Sequence, residues 1–203
     1  LMLFVTMVTF SAGISIAHAS SQAVKSAAPY DISISKSIYQ SDIQSTEDKK
    51  VTETFQLQNQ LDLYSKNYFE IALYNNLLTM SDLPNVLPDV PSTAQNSPMR
   101  AVSLSDFNRV LESQGKEPIS LGDNEFAINC NSYLVEPYYH MENNQSITFN
   151  GKEYQLGIHN ILQETLSTNY SLMDAGTIIL PDSALNRLTP NERILNVFYR
   201  QSD

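Results

Sequence analysis

Residues 102–128 read VSLSDFNRVLESQGKEPISLGDNEFAI and contain a helix that carries its own start and stop signals. Ser103 is a typical helix N-cap, and Asp106, three positions later, is expected to reach back to the backbone N–H of the cap, as in a capping box. Gly115 supplies the left-handed conformation that ends a helix. Pro118 then keeps the helix from restarting, because proline has no backbone N–H to donate. The sequence therefore predicts a short helix between Ser103 and Gly115.

One face of this predicted helix is apolar. The side chains that share it at helical spacing are Leu104, Phe107, Val110 and Leu111. The opposite face carries Asn108, Arg109, Glu112 and Ser113. After the helix, Gly122 and Asp123 turn the chain into a short strand over 125–128. The stretch is thus a helix–turn–strand unit with one face to bury.

Alternating or short apolar segments predict further strands around this unit. They lie at 30–34, 68–74, 99–104, 177–180 and 194–200. Asn150-Gly151 lies between two alternating segments and predicts a type I′ hairpin. Helices are expected over 51–67, 158–167 and 182–188, and a proline-rich loop is expected over 77–98. Together these patterns predict an α+β fold, a mixed sheet with a few helices.

The charge of the chain argues against some classes of partner. Its 22 acidic and 12 basic residues give a net charge of −10, whereas proteins that bind nucleic acid present a basic surface. An acidic domain attracts cationic ligands instead. The six glycines form no phosphate-binding loop, so we expect no nucleotide hydrolysis by this chain. Cys130 is the only cysteine, which precludes an internal disulfide and predicts a buried structural thiol.

The chain opens with an apolar segment. Residues 1–19 read LMLFVTMVTFSAGISIAHA, and no charged residue occurs before Lys25. A run of about 20 apolar residues is long enough to cross the hydrocarbon core of a membrane as a helix. Ala17-His18-Ala19 also resembles a signal-peptidase site, although no basic region precedes the apolar run. We favour a transmembrane helix and its exit linker over 1–28, with a cleaved signal peptide as the alternative.

Three segments carry a resemblance to a known family. PYDISI at 29–34, SLSDFNRVLESQGKEPISLGDNEFAI at 103–128 and GTIILPDSAL at 176–185 resemble, in the same order, segments of the FtsX-like permeases of ABC transporters. The resemblance is to the bacitracin- and lantibiotic-resistance branch, which has a large extracellular domain between two membrane helices. It spans about residues 1–185, and its motifs are structural rather than catalytic. It implies that 30–203 form an extracellular α+β domain, truncated at its C-terminus.

The same resemblance implies a set of partners. Such permeases lie in the cell membrane, among its lipids, and work with a separate ABC ATPase subunit. They act against peptide antibiotics and often relay the presence of these peptides to a membrane sensor histidine kinase. The extracellular domain would then recognise a cationic peptide or its lipid-linked cell-wall precursor, and this chain would be non-catalytic.

Two alternatives to this function stay open. One is a secreted or periplasmic binding protein that is cleaved after Ala19. The other is an FtsX-like permease with a different task, either lipoprotein export or regulation of cell-wall hydrolases.

Candidate ligand contacts are few. We select Tyr138 and Tyr139, because adjacent tyrosine rings offer flat apolar area with a polar tip; packing at a strand edge is the alternative for them. His140 and His159 flank the predicted hairpin, but their spacing matches no metal-ligand pattern. We therefore expect no metal, no cofactor and no catalytic residue.

Overall fold

The computed structural model describes residues 30, 32–37, 68–83, 89, 91–92, 94–130, 139, 141, 145–166, 176–186 and 188–197. The apolar segment over 1–28, the predicted helix over 51–67, Tyr138 and His140 lie outside these residues. Within the part of the chain that is described, no helix is both long and apolar enough to cross a membrane.

The described strands form one mixed sheet. In chain order they are β1 (Ile32–Ser37), β2 (Tyr68–Thr79), β3 (Pro98–Ser103), β4 (Glu125–Asn129), β5 (Ser146–Phe149), β6 (Lys152–Leu156), β7 (Thr177–Leu180) and β8 (Glu192–Val197). Their order across the sheet is β1-β8-β2-β3-β7-β4-β6-β5. β3 pairs with β7 and β4 with β6 in parallel, and the other neighbours are antiparallel. With the helices α1 (Leu104–Ser113) and α2 (Asp182–Leu185), this confirms the predicted α+β fold with a mixed sheet.

The strand β7 lies between β3 and β4 and is buried on both faces. Its side chains alternate between two hydrophobic cores. Ile179 packs in the core that contains α1. Ile178 and Leu180 pack in the core that contains Leu185 of α2, which we name the α2-side core. A short, continuous apolar run is what such a doubly covered strand requires, and the strand predicted over 177–180 is confirmed.

The helix α1 begins where the sequence predicts and buries the predicted face. Its N-cap, Ser103, accepts a hydrogen bond from the backbone N–H of Asp106 at 3.2 Å. Leu104 is half-buried at the edge of the core. The fully buried apolar side chains of the helix are Phe107, Val110 and Leu111. This stripe packs α1 onto one face of the sheet.

The C-terminus of α1 ends in a Schellman motif. Gly115 has a φ of +72°, and its N–H donates to the carbonyl of Glu112 at 2.9 Å. The next N–H, that of Lys116, donates to the carbonyl of Leu111, also at 2.9 Å. A Cβ at Gly115 would meet nothing within 4 Å. Glycine is therefore needed here for its backbone conformation and not for space.

The strands β5 and β6 form the hairpin predicted from Asn150-Gly151. Both turn residues have positive φ, +50° at Asn150 and +75° at Gly151, as a type I′ turn requires. The register pairs Phe149 with Lys152 directly across the turn. The side chains of the hairpin that are buried in the α2-side core are Ile147, Phe149, Tyr154 and Leu156.

The loop predicted over 77–98 is wrong at its N-terminal end. The strand β2 continues to Thr79, and a 3₁₀ turn follows over Met80–Asp82. Three apolar side chains of this region, Leu78, Met80 and Leu83, are buried in the α2-side core. Their burial favours a continued strand and turn over an open loop.

The helix predicted over 158–167 is also wrong, since the described residues 158–166 form no helix. Leu162 instead makes an isolated parallel bridge to Asn129 at the end of β4. The N–H of Leu162 donates to the carbonyl of Ile128, and the N–H of Cys130 donates to the carbonyl of Leu162, at 2.9 and 2.8 Å. These long-range bonds replace the local ones of a helix. The helix predicted over 182–188 is present but shorter.

Candidate functional site

Asp106 is a mostly buried carboxylate where α1 meets the sheet; its side chain is 12% exposed. The sequence predicts that it bonds the backbone N–H of Ser103, but the carboxylate is directed at β2 instead. Its Oδ2 atom accepts a hydrogen bond from the backbone N–H of Ala72 at 2.9 Å. The register of β2 with β3 ends at Leu73 and Val102, so Ala72 lies where β3 gives way to α1. Asp106 thus takes the place of a strand partner for β2.

Charged side chains extend this contact across β2 and β8. Arg109 donates to Oδ1 of Asp106 at 2.7 Å and to the carbonyl of Glu70 at 3.3 Å. The carboxylate of Glu70 pairs with Arg193 of β8 at 2.9 Å. We name Glu70, Asp106, Arg109 and Arg193 the Asp106 cluster. It joins α1 to two neighbouring strands.

The electrostatics of the cluster are dominated by the burial of Asp106. Burial raises the pKa of this carboxyl group, because the charged form loses its hydration. The Ala72 N–H and the Arg109 guanidinium oppose the rise in pKa, while the negative charges of Asp182 and Glu70 add to it. The pKa of Tyr74, which is raised mainly by burial, is raised further by the charge of Asp106.

The N-termini of the two helices are also joined near this cluster. The hydroxyl of Ser105 in α1 donates to Oδ1 of Asp182 in α2 at 2.6 Å. Because α1 and α2 follow the neighbouring parallel strands β3 and β7, their first residues meet at the same edge of the sheet. The bond therefore holds the two βα turns together.

The geometry of the Asp106 cluster is suited to holding elements together. Both oxygens of Asp106 accept hydrogen bonds from neighbouring elements. Among the described residues, no three His, Cys, Asp or Glu side chains are grouped closely enough to hold a metal ion. His159, one of the two histidines considered above, is exposed. We assign the Asp106 cluster a structural role.

A second polar assembly fixes the irregular segment that follows β6. Asn129 at the end of β4 bonds both main-chain groups of Glu164. Its Oδ1 accepts from the Glu164 N–H at 2.7 Å, and its Nδ2 donates to the Glu164 carbonyl at 3.0 Å. Lys116, just after α1, pairs with the carboxylate of the same residue at 2.5 Å. Glu164 is therefore tied to β4 and to the end of α1.

The next two residues of the segment are held by side chains from the two ends of the described chain. The hydroxyl of Tyr30 donates to the carbonyl of Thr165 at 3.1 Å. The Nδ2 group of Asn196 in β8 donates to the carbonyl of Leu166 at 2.9 Å. These contacts define what we name the 164–166 junction, which consists of Tyr30, Asn129, Glu164, Thr165, Leu166 and Asn196.

Tyr30 is buried, at 3% exposed. Its ring packs edge-to-face on Phe69 of β2, with centroids 5.5 Å apart. Burial raises the pKa of its hydroxyl, while the neighbouring polar side chains of Gln114 and Ser113 at the end of α1 lower that pKa. Tyr30 thus links β2 and the end of α1 to the other residues of the 164–166 junction.

Of the two predicted ligand contacts, the structure describes Tyr139. Tyr139 is 8% exposed and packs in the α2-side core. Its hydroxyl lies only 2.6 Å from where a Cβ would stand at Gly176. This burial favours the packing alternative for Tyr139, because a buried ring offers little area to a ligand. Tyr138 lies outside the described residues and stays a prediction. The predicted burial of Cys130 is confirmed, at 1% exposed.

The sequence patterns did not identify two buried asparagines as bonding residues. Asn129 is 4% exposed and Asn196 is 0% exposed, and both bond the main chain of a distant segment. The available signal was a polar side chain inside an otherwise apolar strand, EFAIN for the first and ILNV for the second. Such a residue must find hydrogen-bond partners when it is buried.

In comparisons with known proteins, no protein-family model matches the chain, and no curated protein matches it either. The resemblance to FtsX-like permeases therefore stays a prediction drawn from the residues quoted above.

Proposed function

We propose that the chain is part of an ABC transporter permease subunit, an extracellular domain with a flanking membrane helix, which acts in resistance to peptide antibiotics or in sensing them. The order of features along the chain carries the proposal. An apolar stretch without a charged residue before Lys25 precedes a region that holds the whole net charge of −10. The segments at 29–34, 103–128 and 176–185 follow in the order found in the permease family.

The division of labour in this proposal follows from the resemblance to the permease family, which implies a separate ABC ATPase subunit that supplies ATP hydrolysis. The glycines of this chain, which form no phosphate-binding loop, are consistent with that division. A membrane sensor histidine kinase is the second proposed protein partner. The extracellular domain contributes recognition, and the chain itself is not an enzyme.

The proposed ligand is a cationic peptide, free or bound to a lipid-linked cell-wall precursor. A surface with a large negative net charge raises the local concentration of cations and speeds their encounter. Described acidic side chains that are exposed and suited to this role include Glu112, Glu117 and Asp123. Tyr138 is the remaining aromatic candidate for a direct contact.

The location of the chain is tested by measuring its intact mass and whether it is recovered with membranes or in the soluble fraction. The full gene product is expressed with a C-terminal tag, membranes are isolated and washed with carbonate, and the intact mass is measured. The proposal predicts an uncleaved chain that stays with the membrane. A soluble product that lacks residues 1–19 would support the second candidate, a secreted binding protein, which is favoured by Ala17-His18-Ala19.

The ligand class is tested by titration of the full chain in detergent with a cationic antibiotic peptide and a neutral analogue. We expect weak binding of the cationic peptide only, weaker at moderate salt because the Debye length shortens. The variant Glu112→Gln, Glu117→Gln, Asp123→Asn removes three exposed charges and should weaken binding further. A matched control replaces exposed Ser120 by alanine. Equal affinity for both peptides at both salt concentrations would favour a permease with another cargo.

A further inference from the structure

The turn of the β5–β6 hairpin places an asparagine directly before a glycine at the protein surface. Asn150 and Gly151 are both exposed, and a Cβ at Gly151 would meet nothing within 4 Å. In the part of the chain that the structure describes, no residue bonds the Asn150 side chain or the peptide group that joins the two. The proposed function makes no use of this pair.

An asparagine in this setting can react with its own backbone. The nitrogen of Gly151 attacks Cγ of Asn150, so that a new C–N bond forms and the bond from Cγ to Nδ2 breaks. The side-chain nitrogen leaves as ammonia with the proton of the Gly151 N–H, and a five-membered succinimide remains. Water then adds to one of its two carbonyls and opens the ring to an aspartyl or an isoaspartyl residue. Glycine favours the attack because no Cβ shields its nitrogen.

The attack requires rotation of the peptide plane between the two residues. In a type I′ turn the Gly151 nitrogen is directed away from the Asn150 side chain, whereas in a type II′ turn it lies beside it. Asn150 has a positive φ in both turns, and the second central residue changes from positive to negative φ. Glycine adopts either sign readily, and no hydrogen bond to a described residue is broken. The rotation can therefore take place while β5 and β6 stay paired.

We propose that Asn150 is a site of spontaneous deamidation in the folded chain, reached by rotation of the turn from type I′ to type II′. An isoaspartyl product adds a carbon atom to the backbone between Phe149 and Lys152, which pair directly across the turn. The hairpin also supplies buried side chains to the α2-side core, so a lengthened turn lowers the stability of the fold as the protein ages. This inference does not depend on the proposed function.

The chain supplies its own controls. Asn124 and Asn160 are exposed as well, but they are followed by Glu125 and Ile161, whose Cβ atoms hinder the attack. The variant Asn150→Gly removes the reactive amide and leaves Gly-Gly, a pair that type I′ turns also favour. Its hairpin should therefore form as in the wild type, with nothing to deamidate.

The experiment ages the purified full chain in detergent micelles at mildly alkaline pH, both in native buffer and unfolded in guanidinium chloride. Samples are digested with an acid protease, because low pH suppresses further reaction. Mass spectrometry then quantifies the asparaginyl, aspartyl and isoaspartyl forms at each position. Urea unfolding compares fresh and aged samples of the wild type and of Asn150→Gly.

In native buffer we expect conversion at Asn150, largely to isoaspartyl, at a rate no more than about tenfold below that of the unfolded chain; tenfold corresponds to about 1.4 kcal/mol for rotating the turn. Asn124 and Asn160 should stay asparaginyl over the same period. The site is refuted if Asn150 stays intact in native buffer or reacts no faster than these two controls. A folded-state rate much further below the unfolded rate would refute the turn rotation, because the hairpin would then have to open first.

The effect on stability has its own readout. The urea midpoint of the aged wild type should fall in proportion to its isoaspartyl content, while that of aged Asn150→Gly should stay at its fresh value. Equal midpoints for fresh and converted wild type would refute the proposed loss of stability. An equal fall in Asn150→Gly would refute its assignment to this site.

Discussion

Replacing Asp106 tests whether a buried carboxylate holds α1 to β2. Asp106→Ala leaves the Ala72 N–H without its acceptor at 2.9 Å and Arg109 without its partner at 2.7 Å. Asp106→Asn keeps a side-chain oxygen for Ala72 and removes the negative charge. The two variants therefore separate the hydrogen bond from the charge.

The expected magnitude follows from these contacts. A donor left without its partner costs about 1–3 kcal/mol. The ion pair adds about 0–1 kcal/mol, because the Arg109 side chain is 54% exposed and screened by solvent. Removal of a carboxylate whose burial is unfavourable offsets part of this loss. We expect Asp106→Ala to lower the free energy of unfolding by about 2 kcal/mol and Asp106→Asn by less than about 1 kcal/mol.

The pH dependence of the Asp106→Asn effect has a defined sign. The pKa of Asp106 is raised in the folded state, mainly by burial. The stability that its protonation contributes is therefore fully present below the unfolded-state pKa and is lost as pH rises through the folded-state pKa. Asparagine does not titrate. The wild type should thus gain stability relative to Asp106→Asn as the pH is lowered through that window.

Urea unfolding followed by far-ultraviolet circular dichroism measures both effects, at neutral pH and at several acidic values. Asp123→Asn is the matched control, since Asp123 is exposed and should change little. If the Asp106→Ala variant were as stable as the wild type at neutral pH, the structural role of the carboxylate would be refuted. If the free energy of unfolding of the wild type increased relative to that of Asp106→Asn as the pH rises, the sign of the pKa shift would be refuted.

Three further outcomes are expected. Ser103→Ala removes the N-cap acceptor of α1 and should cost about 1 kcal/mol in urea unfolding; an unchanged midpoint would contradict the cap. Gly115→Ala should cost about 1–2 kcal/mol through backbone strain alone, whereas Gly176→Ala should cost more, because its φ is +106° and its Cβ would lie 2.6 Å from the hydroxyl of Tyr139. Equal costs for the two would contradict this ranking. The purified chain should release no phosphate from ATP above a boiled control, and any release would overturn the proposed division of labour.

The features that the sequence predicts well are decided within a few residues. The end of α1 depends on Gly115 and its immediate neighbours, and the hairpin depends on Asn150-Gly151. Each requires positive φ at a stated position, which few residue types adopt readily. The continuous apolar run of β7 likewise predicts a buried strand, as found.

The features that the sequence does not predict depend on partners far along the chain. Asp106 is directed at Ala72 of β2 because β3 ends beside it, and the strand order is not readable from local patterns. Residues 158–166 form no helix, and their segment is bonded instead by Asn129 of β4 and Asn196 of β8. Helix periodicity in that segment says nothing about those distant amides. The burial of Tyr139 was not predictable for the same reason, since it depends on residues of the α2-side core that are distant in sequence.

The position of β8 between β1 and β2 has a consequence for biosynthesis. The contact of Ser33 with Asn196 joins residues 163 positions apart, so the chain must be synthesised as far as β8 before β1 can pair with that strand. Folds dominated by such distant pairings form slowly, and unpaired strand edges of a nascent chain are prone to aggregation. We expect the nascent chain to need a holding chaperone until β8 emerges, and a version stopped before Glu192 to be retained by that chaperone or degraded.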